Sequence, residues 1–305
     1  MVTLGEGNTP LIWDDVAGRK VAFKLEYLNP TGSFKDRGSS LLVSFLKARE
    51  ITSAVEDSSG NAGASFAAYA ARGGIQARVF LPDSASGPKQ IQIETYGAEI
   101  VRIVGPRSNA TKAALKAIAQ GRVYASHAYL PFNLPGYATV AYELVEQIGS
   151  MPGTVIAPVG QGGLLLGLIR GFQAIRQAGQ IDRIPSFVGV QARACAPLWA
   201  LHVYGLDGLR FISEEPTLAE GVRVRHPVRG DSLMKAVEAS EGLFVVVDES
   251  EILPARDQLA RRGFYVEPTS ALVWSALNKI LDQAREPIIA ILTGSGFKYS
   301  NSSSS

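Results

Sequence analysis

A lysine follows a loop of small residues near the start of the chain, in the run NPTGSFKDRG at 29–38. Thr31 or Ser33 is expected to cap the helix that begins here, and Asp36 lies in its acidic first turn. Lys35 lies in the same turn, where the helix dipole disfavours a cation and so favours the neutral, nucleophilic amine. The competing interpretation is a surface lysine that pairs with Asp36.

A second loop, SSGNAG at 58–63, follows a predicted strand and opens an alanine-rich helix. Successive backbone N–H groups and the hydroxyls of Ser58 and Ser59 at a helix start form a receptor for an anion such as a substrate carboxylate. A plain turn with Asn61 as the helix cap is the competing interpretation.

The third loop, VGQGGLLLG at 159–167, again joins a predicted strand to a helix. Its glycines allow close backbone approach, and the free N–H groups of the helix start suit a phosphate. The spacing fails GxGxxG because residue 165 is Leu, so a phosphate monoester fits better than a dinucleotide. A fourth run, LTGSGF at 292–297, offers hydroxyls at the end of the last predicted strand, with a structural turn as the alternative.

These loops favour one type of cofactor when they are taken together. A nucleophilic lysine, a phosphate loop and a carboxylate loop predict a phosphorylated aldehyde that is held covalently and acts on an amino acid. Pyridoxal phosphate (PLP) satisfies all three requirements.

Short apolar runs alternate with segments of helical period along the chain. The predicted strands are 20–26, 54–56, 77–81, 99–104, 154–159, 187–191, 243–247 and 288–292. The predicted helices are 34–49, 61–72, 108–120, 137–147, 164–177, 252–262 and 270–283. Strands that are apolar throughout, such as TVIAPV, are typical of parallel sheets covered on both faces. The alternation predicts an α/β fold with ligands at the carboxyl ends of strands.

The composition excludes several classes of protein. Thirty Lys and Arg against 28 Asp and Glu give a formal net charge of +2 over 305 residues, which argues against nucleic-acid or membrane partners. Cys195 is the single cysteine and the three histidines lack HExxH spacing, so no disulfide framework or metal site is expected. No signal peptide and no apolar run of ~20 residues is present, which predicts a cytoplasmic protein. The polar tail at 301–305 is expected to fray.

The order of the motifs resembles that of a known family. The motifs are LGEGNTPL (4–11), LNPTGSFKDRG (28–38), SSGNAGAS (58–65), TLAEGVRV (217–224), VEPTSA (266–271) and LTGSGFK (292–298). The chain is identified as a member of the fold type II, or β-family, PLP-dependent enzymes, and it looks most like the threonine synthase-like proteins among them. The resemblance implies two lobes, each with a twisted, mainly parallel sheet flanked by helices.

The resemblance also implies a role for individual residues. Lys35 would hold PLP and then act as the general base on the substrate Cα, and Asn61 would bond the ring hydroxyl of the cofactor. Thr293 would face the pyridine nitrogen, and its neutral hydroxyl favours elimination or replacement over transamination. Ser58 and Ser59 would hold the substrate carboxylate. The phosphate would lie on the loop formed by Gly160, Gln161, Gly162, Gly163 and Leu164.

The substrate side departs from the family pattern. Threonine synthases typically carry Asn-Ser and an Arg where this chain has ASHAYLPFN at 125–133, with no Arg until Arg170. Lys89 matches a family lysine that contacts substrate phosphate, although a lysine is a point charge and not a bidentate fork. His127 is open to three interpretations: contact with phosphate, proton transfer, or a structural hydrogen bond. The GQGGL loop and the run PFNLPGYATVAYEL look more like serine/threonine dehydratases.

The sequence therefore predicts PLP-dependent elimination or replacement on a small amino acid. Threonine synthase, which converts O-phosphohomoserine to threonine and phosphate, is the first hypothesis, and serine/threonine dehydratase is the second. A non-catalytic amino-acid-binding regulator is the third, and the intact set of cofactor residues argues against it. Residues 1–39 and 126–305 are expected to form the larger, cofactor-binding lobe, and 40–125 the smaller inserted one. A homodimer is expected from the resemblance.

Overall fold

The computed structural model describes residues 1–299, so the tail predicted to fray at 301–305 lies outside the described residues. The strands of this part are β1 (Leu11–Val16), β2 (Arg19–Lys24), β3 (Ser53–Glu56), β4 (Gln76–Pro82), β5 (Glu99–Ile103), β6 (Val123–Tyr124), β7 (Thr154–Pro158), β8 (Ser186–Ala192), β9 (Leu243–Val247) and β10 (Ile288–Ile291). The helices are α1 (Lys35–Ala48), α2 (Asn61–Gly73), α3 (Pro88–Thr95), α4 (Arg107–Ala119), α5 (Asn133–Ile148), α6 (Gly163–Gln177), α7 (Pro197–Tyr204), α8 (Gly230–Glu238), α9 (Glu249–Arg261) and α10 (Pro268–Ile280).

The chain folds into two compact units. The first unit comprises Met1–Glu6, Asn29–Gly136 and the described residues from Phe297 on, and the second comprises Gly7–Leu28 and Tyr137–Gly296. These bounds differ from the predicted 1–39, 40–125 and 126–305, because Met1–Glu6, 29–39, 126–136 and the described residues from Phe297 on belong to the first unit. The difference has a packing cause: α1 packs against α2, so the lysine loop stays with the first unit.

The first unit contains a four-stranded sheet in the order β5-β4-β3-β6, and every pair in it is parallel. Alanines of α4 pack on the sheet in one cluster, and helices α1 and α2 pack together with other strand residues in a separate cluster. Leu42 and Val43 pack there with Phe66 and Tyr69, all of them buried. Alanine and glycine keep α2 thin enough to lie close to its neighbours, since these residues add little volume at a helix surface.

The second unit contains a six-stranded sheet in the order β1-β2-β10-β7-β8-β9. Strands β1 and β2 are antiparallel, and all other neighbours are parallel. Strands β7 and β10 are buried at every position, as their unbroken apolar runs predict. Phe23 packs beneath the sheet with its ring centroid 4.9 Å from that of Phe264, close to Trp274. The predicted α/β class with mainly parallel sheets is confirmed.

Five of the strands and helices were not predicted from the sequence. Strand β1 lies at the sheet edge, and its apolar residues Ile12 and Trp13 are exposed. Strand β6 has only two residues. Helices α3 and α7 have eight residues each, and α7 is apolar nearly all round, which hides its period. Helix α8 completes the missed set. Within residues 1–299, no membrane-spanning helix and no metal-binding group of three or more His, Cys, Asp or Glu residues is found.

Candidate active site

Lys35 is the first residue of α1 and is half-buried. The residue at the N-cap is Phe34, and no side chain caps the helix, so the predicted cap by Thr31 or Ser33 is wrong. The Lys35 Nζ atom lies 4.7 Å from the centroid of the Phe34 ring. The lysine thus stands at a helix start where the backbone N–H groups disfavour a cation.

Asp36 shapes the loop that precedes the lysine. Its fully buried carboxylate accepts hydrogen bonds of 2.6 Å from the Thr31 backbone N–H, the Thr31 hydroxyl and the Ser65 hydroxyl. Burial raises the pKa of Asp36, and the hydrogen bonds from Ser65 and Thr31 oppose that shift. A surface ion pair with Lys35 does not fit a carboxylate that is buried in this way. Asp36 fixes the loop against α2 instead.

The predicted carboxylate loop leads directly into α2. The N-cap residue is Gly60, with no side-chain cap and no acidic residue in the first turn. The interpretation of Asn61 as the cap is therefore wrong, because Asn61 is the first helical residue. Its neighbour Gly63 has no room for a Cβ, which would lie 1.9 Å from the Ser58 carbonyl oxygen. The loop therefore packs tightly on a helix start whose N–H groups suit an anion.

Helix α3 holds the same loop from its other side. The Gln90 side-chain amide donates a 2.5 Å hydrogen bond to the Ser59 carbonyl oxygen, and Gln92 donates one of 3.4 Å to the Thr31 carbonyl oxygen. Lys89, which is half-buried, precedes Gln90 on this helix. Sequence reasoning missed Gln90, although its place next to Lys89 in SGPKQ was the available signal.

A buried acid lies at the entrance to this loop. Glu56 ends β3 and has no exposed surface, and its Oε1 atom is 2.7 Å from His127 Nδ1. The His127 backbone N–H donates a further 3.3 Å hydrogen bond to Glu56 Oε2. Burial raises the pKa of Glu56 well above its ordinary value, the Asp57 charge raises it further, and the Lys35 charge acts in the opposite direction. Of the three interpretations of His127, the structural hydrogen bond is thus present.

The raised pKa of Glu56 leads to a testable pH dependence of stability. The folded state holds the Glu56 proton more tightly than the unfolded state does. The stability that this proton contributes is therefore complete below pH 4.5 and is lost as the pH rises through the raised pKa of Glu56. Glu56→Gln removes this loss. We expect its unfolding free energy to gain on wild type by at most about 1.4 kcal/mol per pH unit within that window. Urea denaturation at several pH values measures the difference, and a constant difference would contradict the assignment.

The glycine loop of the second unit joins β7 to α6. Gly162 is the N-cap with a φ of +80°, and α6 begins with no side-chain cap and no acid in its first turn. A Cβ on Gly160 would lie 2.6 Å from the Gly221 carbonyl oxygen. Gln161 turns away and accepts the Val228 N–H at 3.1 Å. The backbone N–H groups at this 15-residue helix start suit a phosphate.

The space at Gly160 can be tested by substitution. Gly160→Ala places a methyl group against backbone, so we expect a loss of about 1–3 kcal/mol of unfolding free energy together with weaker cofactor binding. Gly230→Ala is the matched control, because its Cβ would meet nothing closer than Leu198 Cδ2 at 3.5 Å. Urea denaturation and cofactor titration measure both effects. Equal behaviour of the two variants would show that the loop tolerates the added atom.

Thr293 follows β10 and is buried. Its hydroxyl lies 2.9 Å from the Ser270 hydroxyl of α10, and Ser270 Oγ also accepts the Gly294 N–H at 2.7 Å. The environment of Thr293 is thus a neutral pair of hydroxyls. Such a pair can offer a hydrogen bond to a ring nitrogen without a full charge.

The predicted site residues divide between the units. Lys35, Ser58, Ser59, Asn61, Lys89 and His127 lie in the first unit, and the loop 160–164 and Thr293 lie in the second. The glycine loop fits the phosphate end of PLP because α6 begins with no side-chain cap and no acidic residue in its first turn, so its backbone N–H groups suit an anion. The Ser33 hydroxyl, buried next to the lysine loop, has no hydrogen-bond partner among the described residues and fits a polar ligand. Both observations are compatible with PLP.

Residues 2–294 match the family model described as "Pyridoxal-phosphate dependent enzyme". The chain belongs to this family. The match covers more than nine-tenths of the sequence, and it confirms the predicted cofactor and the predicted enzyme class.

Characterised relatives of this PLP-dependent enzyme share about a third of its residues. It is 34% identical over 308 residues to the threonine synthase of Synechocystis sp. (strain PCC 6803), in an alignment that covers 98% of this chain and 78% of the relative. It is 35% identical over 309 residues to the threonine synthase of Mycobacterium tuberculosis, in an alignment that covers 97% of this chain and 83% of the relative. These alignments leave no large part of the chain unmatched.

Solved structures share the fold. Maize serine racemase superposes with a TM-score of 0.82 at 24% identity, over 96% of this chain and 89% of that one. A threonine deaminase from T.th. superposes with a TM-score of 0.79 at 27% identity, over 96% of this chain and 94% of that one. The fold type II resemblance is thereby confirmed.

Proposed function

We propose that this PLP-dependent enzyme is a threonine synthase, which converts O-phosphohomoserine and water to threonine and phosphate. Relatives with this name align over almost the whole chain at 34–35% identity. The observation that carries the proposal is the position of Lys89 on α3, whose next residue binds Ser59 of the carboxylate loop. A cation beside a carboxylate receptor suits a substrate that is anionic at both ends.

The family resemblance assigns a cofactor role to individual residues. We propose that Lys35 binds its aldehyde and Asn61 its ring hydroxyl, whereas the N–H groups of 160–164 bind the phosphate and Thr293 faces the ring nitrogen. Bound PLP supplies an electron sink for the charge left on Cα. The neutral Thr293–Ser270 pair keeps that sink moderate, which favours departure of a group from the substrate side chain over transamination.

The protein contributes binding and proton transfer. We propose that Ser58, Ser59 and the N–H groups of the α2 start hold the substrate carboxylate, while Lys89 contacts the substrate phosphate. The Lys35 amine then removes the Cα proton, and its place at a helix start favours the neutral form that this step requires.

A serine/threonine dehydratase is the second candidate function. The fold match to a threonine deaminase supports it, as do the GQGGL loop and the run PFNLPGYATVAYEL, which look more like those of dehydratases. Two products separate the candidates: phosphate from O-phosphohomoserine, and 2-oxobutyrate from threonine. We expect phosphate release to exceed oxo-acid formation in kcat/KM. Oxo acid without phosphate would replace the first candidate by the second.

Two further properties belong to this proposal. We expect the enzyme to act as a cytoplasmic homodimer, which cell fractionation and light scattering would test. Elution as a monomer at assay concentrations would contradict the dimer. The regulator hypothesis is set aside, because the family match is to enzymes.

A further inference from the structure

A buried carboxylate holds a histidine in one orientation within the first unit. Both oxygens of Glu56 engage His127, one at Nδ1 (2.7 Å) and one at the backbone N–H (3.3 Å). The Asn133 side-chain amide donates to the His127 carbonyl oxygen at 3.3 Å, and Ser126 Oγ accepts the Ala128 N–H at 3.3 Å. Ring and backbone are thus fixed together. A carboxylate on Nδ1 sets the tautomer and leaves proton transfer to Nε2.

The neighbouring acid has a different role. Asp57 accepts hydrogen bonds from the Thr111 hydroxyl at 2.6 Å and from the Tyr124 hydroxyl at 2.8 Å. These contacts tie α4 and β6 to the end of β3. Two adjacent carboxylates therefore serve separate partners, and Glu56 is the one directed to the histidine.

The Glu56 carboxyl also interacts electrostatically with Lys35. The Lys35 charge lowers the pKa of Glu56, whereas burial and the Asp57 charge raise it. The Glu56 carboxyl and the His127 imidazole lie 2.7 Å apart, which is close enough for one proton to be shared between them. Glu56 lies two residues before the carboxylate loop in sequence. The side chain of its partner His127 is 14% exposed. A proton donor of this kind is thus available next to the substrate-binding segment.

We propose that His127 is a second acid–base residue of this enzyme, which carries the proton between the leaving oxygen of the substrate and the water that replaces it. The inference rests on the proposed function. Glu56 is the positioning residue, since it acts through the ring of His127.

The proton balance closes on the histidine. Lys35 removes a proton from Cβ, and the electron pair of that C–H bond forms a Cβ–Cγ double bond as the bond from Cγ to the phosphate-ester oxygen breaks. That oxygen keeps the electron pair of the broken bond and takes the proton from Nε2 of His127, and Lys35 then gives its proton to Cγ. The water oxygen then forms its bond to Cβ and gives a proton back to Nε2. His127 ends as it began, and the proton transfers at Cα, Cβ and Cγ are carried out by Lys35.

The experiment separates these two proton transfers in the PLP-loaded enzyme. His127→Gln and Glu56→Gln are compared with Tyr124→Phe, which alters the Asp57 contact and leaves His127 untouched. Phosphate release from O-phosphohomoserine reports the leaving-group step. Deuterium exchange at Cα of L-2-aminobutyrate, which has no leaving group, reports Lys35 alone. The ¹⁵N spectrum of the His127 ring reports its tautomer independently of turnover.

We expect His127→Gln to slow phosphate release by about 100-fold or more while Cα exchange stays within about threefold of wild type. Glu56→Gln should lose part of the same factor and change the ¹⁵N tautomer signature of His127. The control should match wild type in all three measurements.

Several outcomes would overturn the inference. An equal fall of phosphate release and Cα exchange would show a purely structural role, and unchanged phosphate release would show no role at all. An unaltered His127 spectrum in Glu56→Gln would remove the positioning role. If the wild type released no phosphate, the proposed function would fail by itself. The inference would then be judged on 2-oxobutyrate formation from threonine, where an unimpaired His127→Gln would refute it.

Discussion

Lys35→Ala is expected to abolish the visible absorbance of the lysine-bound cofactor and to lower turnover by about 10⁴-fold or more. In the proposed mechanism, the variant loses both the group that holds the aldehyde and the base that removes the Cα proton. The fold should persist, because Lys35 is half-buried at the first position of α1, and the loop before it is fixed by Asp36.

Absorbance spectra of the purified variant with added PLP, followed by phosphate release, measure this result. Lys47→Ala is the matched control: it removes a lysine from the exposed end of the same helix. Retained absorbance together with retained turnover in Lys35→Ala would show that another amine holds the cofactor.

Glu143→Ala is expected to cost about 3 kcal/mol of unfolding free energy, since it removes one member of a buried ion pair. The Lys24 ammonium has no exposed surface and donates to Glu143 Oε2 at 2.7 Å, to the Thr9 carbonyl oxygen at 2.7 Å and to Gln147 Oε1 at 2.9 Å. Without the Glu143 carboxylate, two of these three acceptors of the Lys24 ammonium remain, and both are neutral oxygens.

Urea denaturation of the purified chain measures the loss, and Glu146→Ala is the control on the exposed face of the same helix. We expect the control to stay within about 0.5 kcal/mol of wild type. Equal stability of the two variants would show that the lysine neutralises or finds water when Glu143 is absent.

The cofactor could be predicted from the sequence because the groups proposed to bind it lie in short segments of chain. The lysine loop, the helix start at 58–63 and the glycine loop at 160–163 are each contiguous, and each follows or precedes a helix in a recognisable way. Helix boundaries at these loops were less accessible. Phe34 and Gly60 occupy the cap positions that polar neighbours would be expected to take. The polar side chains of both loops form other hydrogen bonds: the Thr31 hydroxyl donates to Asp36, and the Ser58 hydroxyl accepts the Gly60 N–H.

The sequence by itself therefore determined the α/β class and the cofactor, since periodicity and short motifs act over a few turns of chain. Tertiary structure alone decided which distant polar groups meet. Glu56 and His127 are 71 residues apart, Lys24 and Glu143 are 119 apart, and Gln90 lies 31 residues beyond Ser59. Such pairs form only when strands and helices have packed, because a buried charge or amide is stable only where folding supplies its partner.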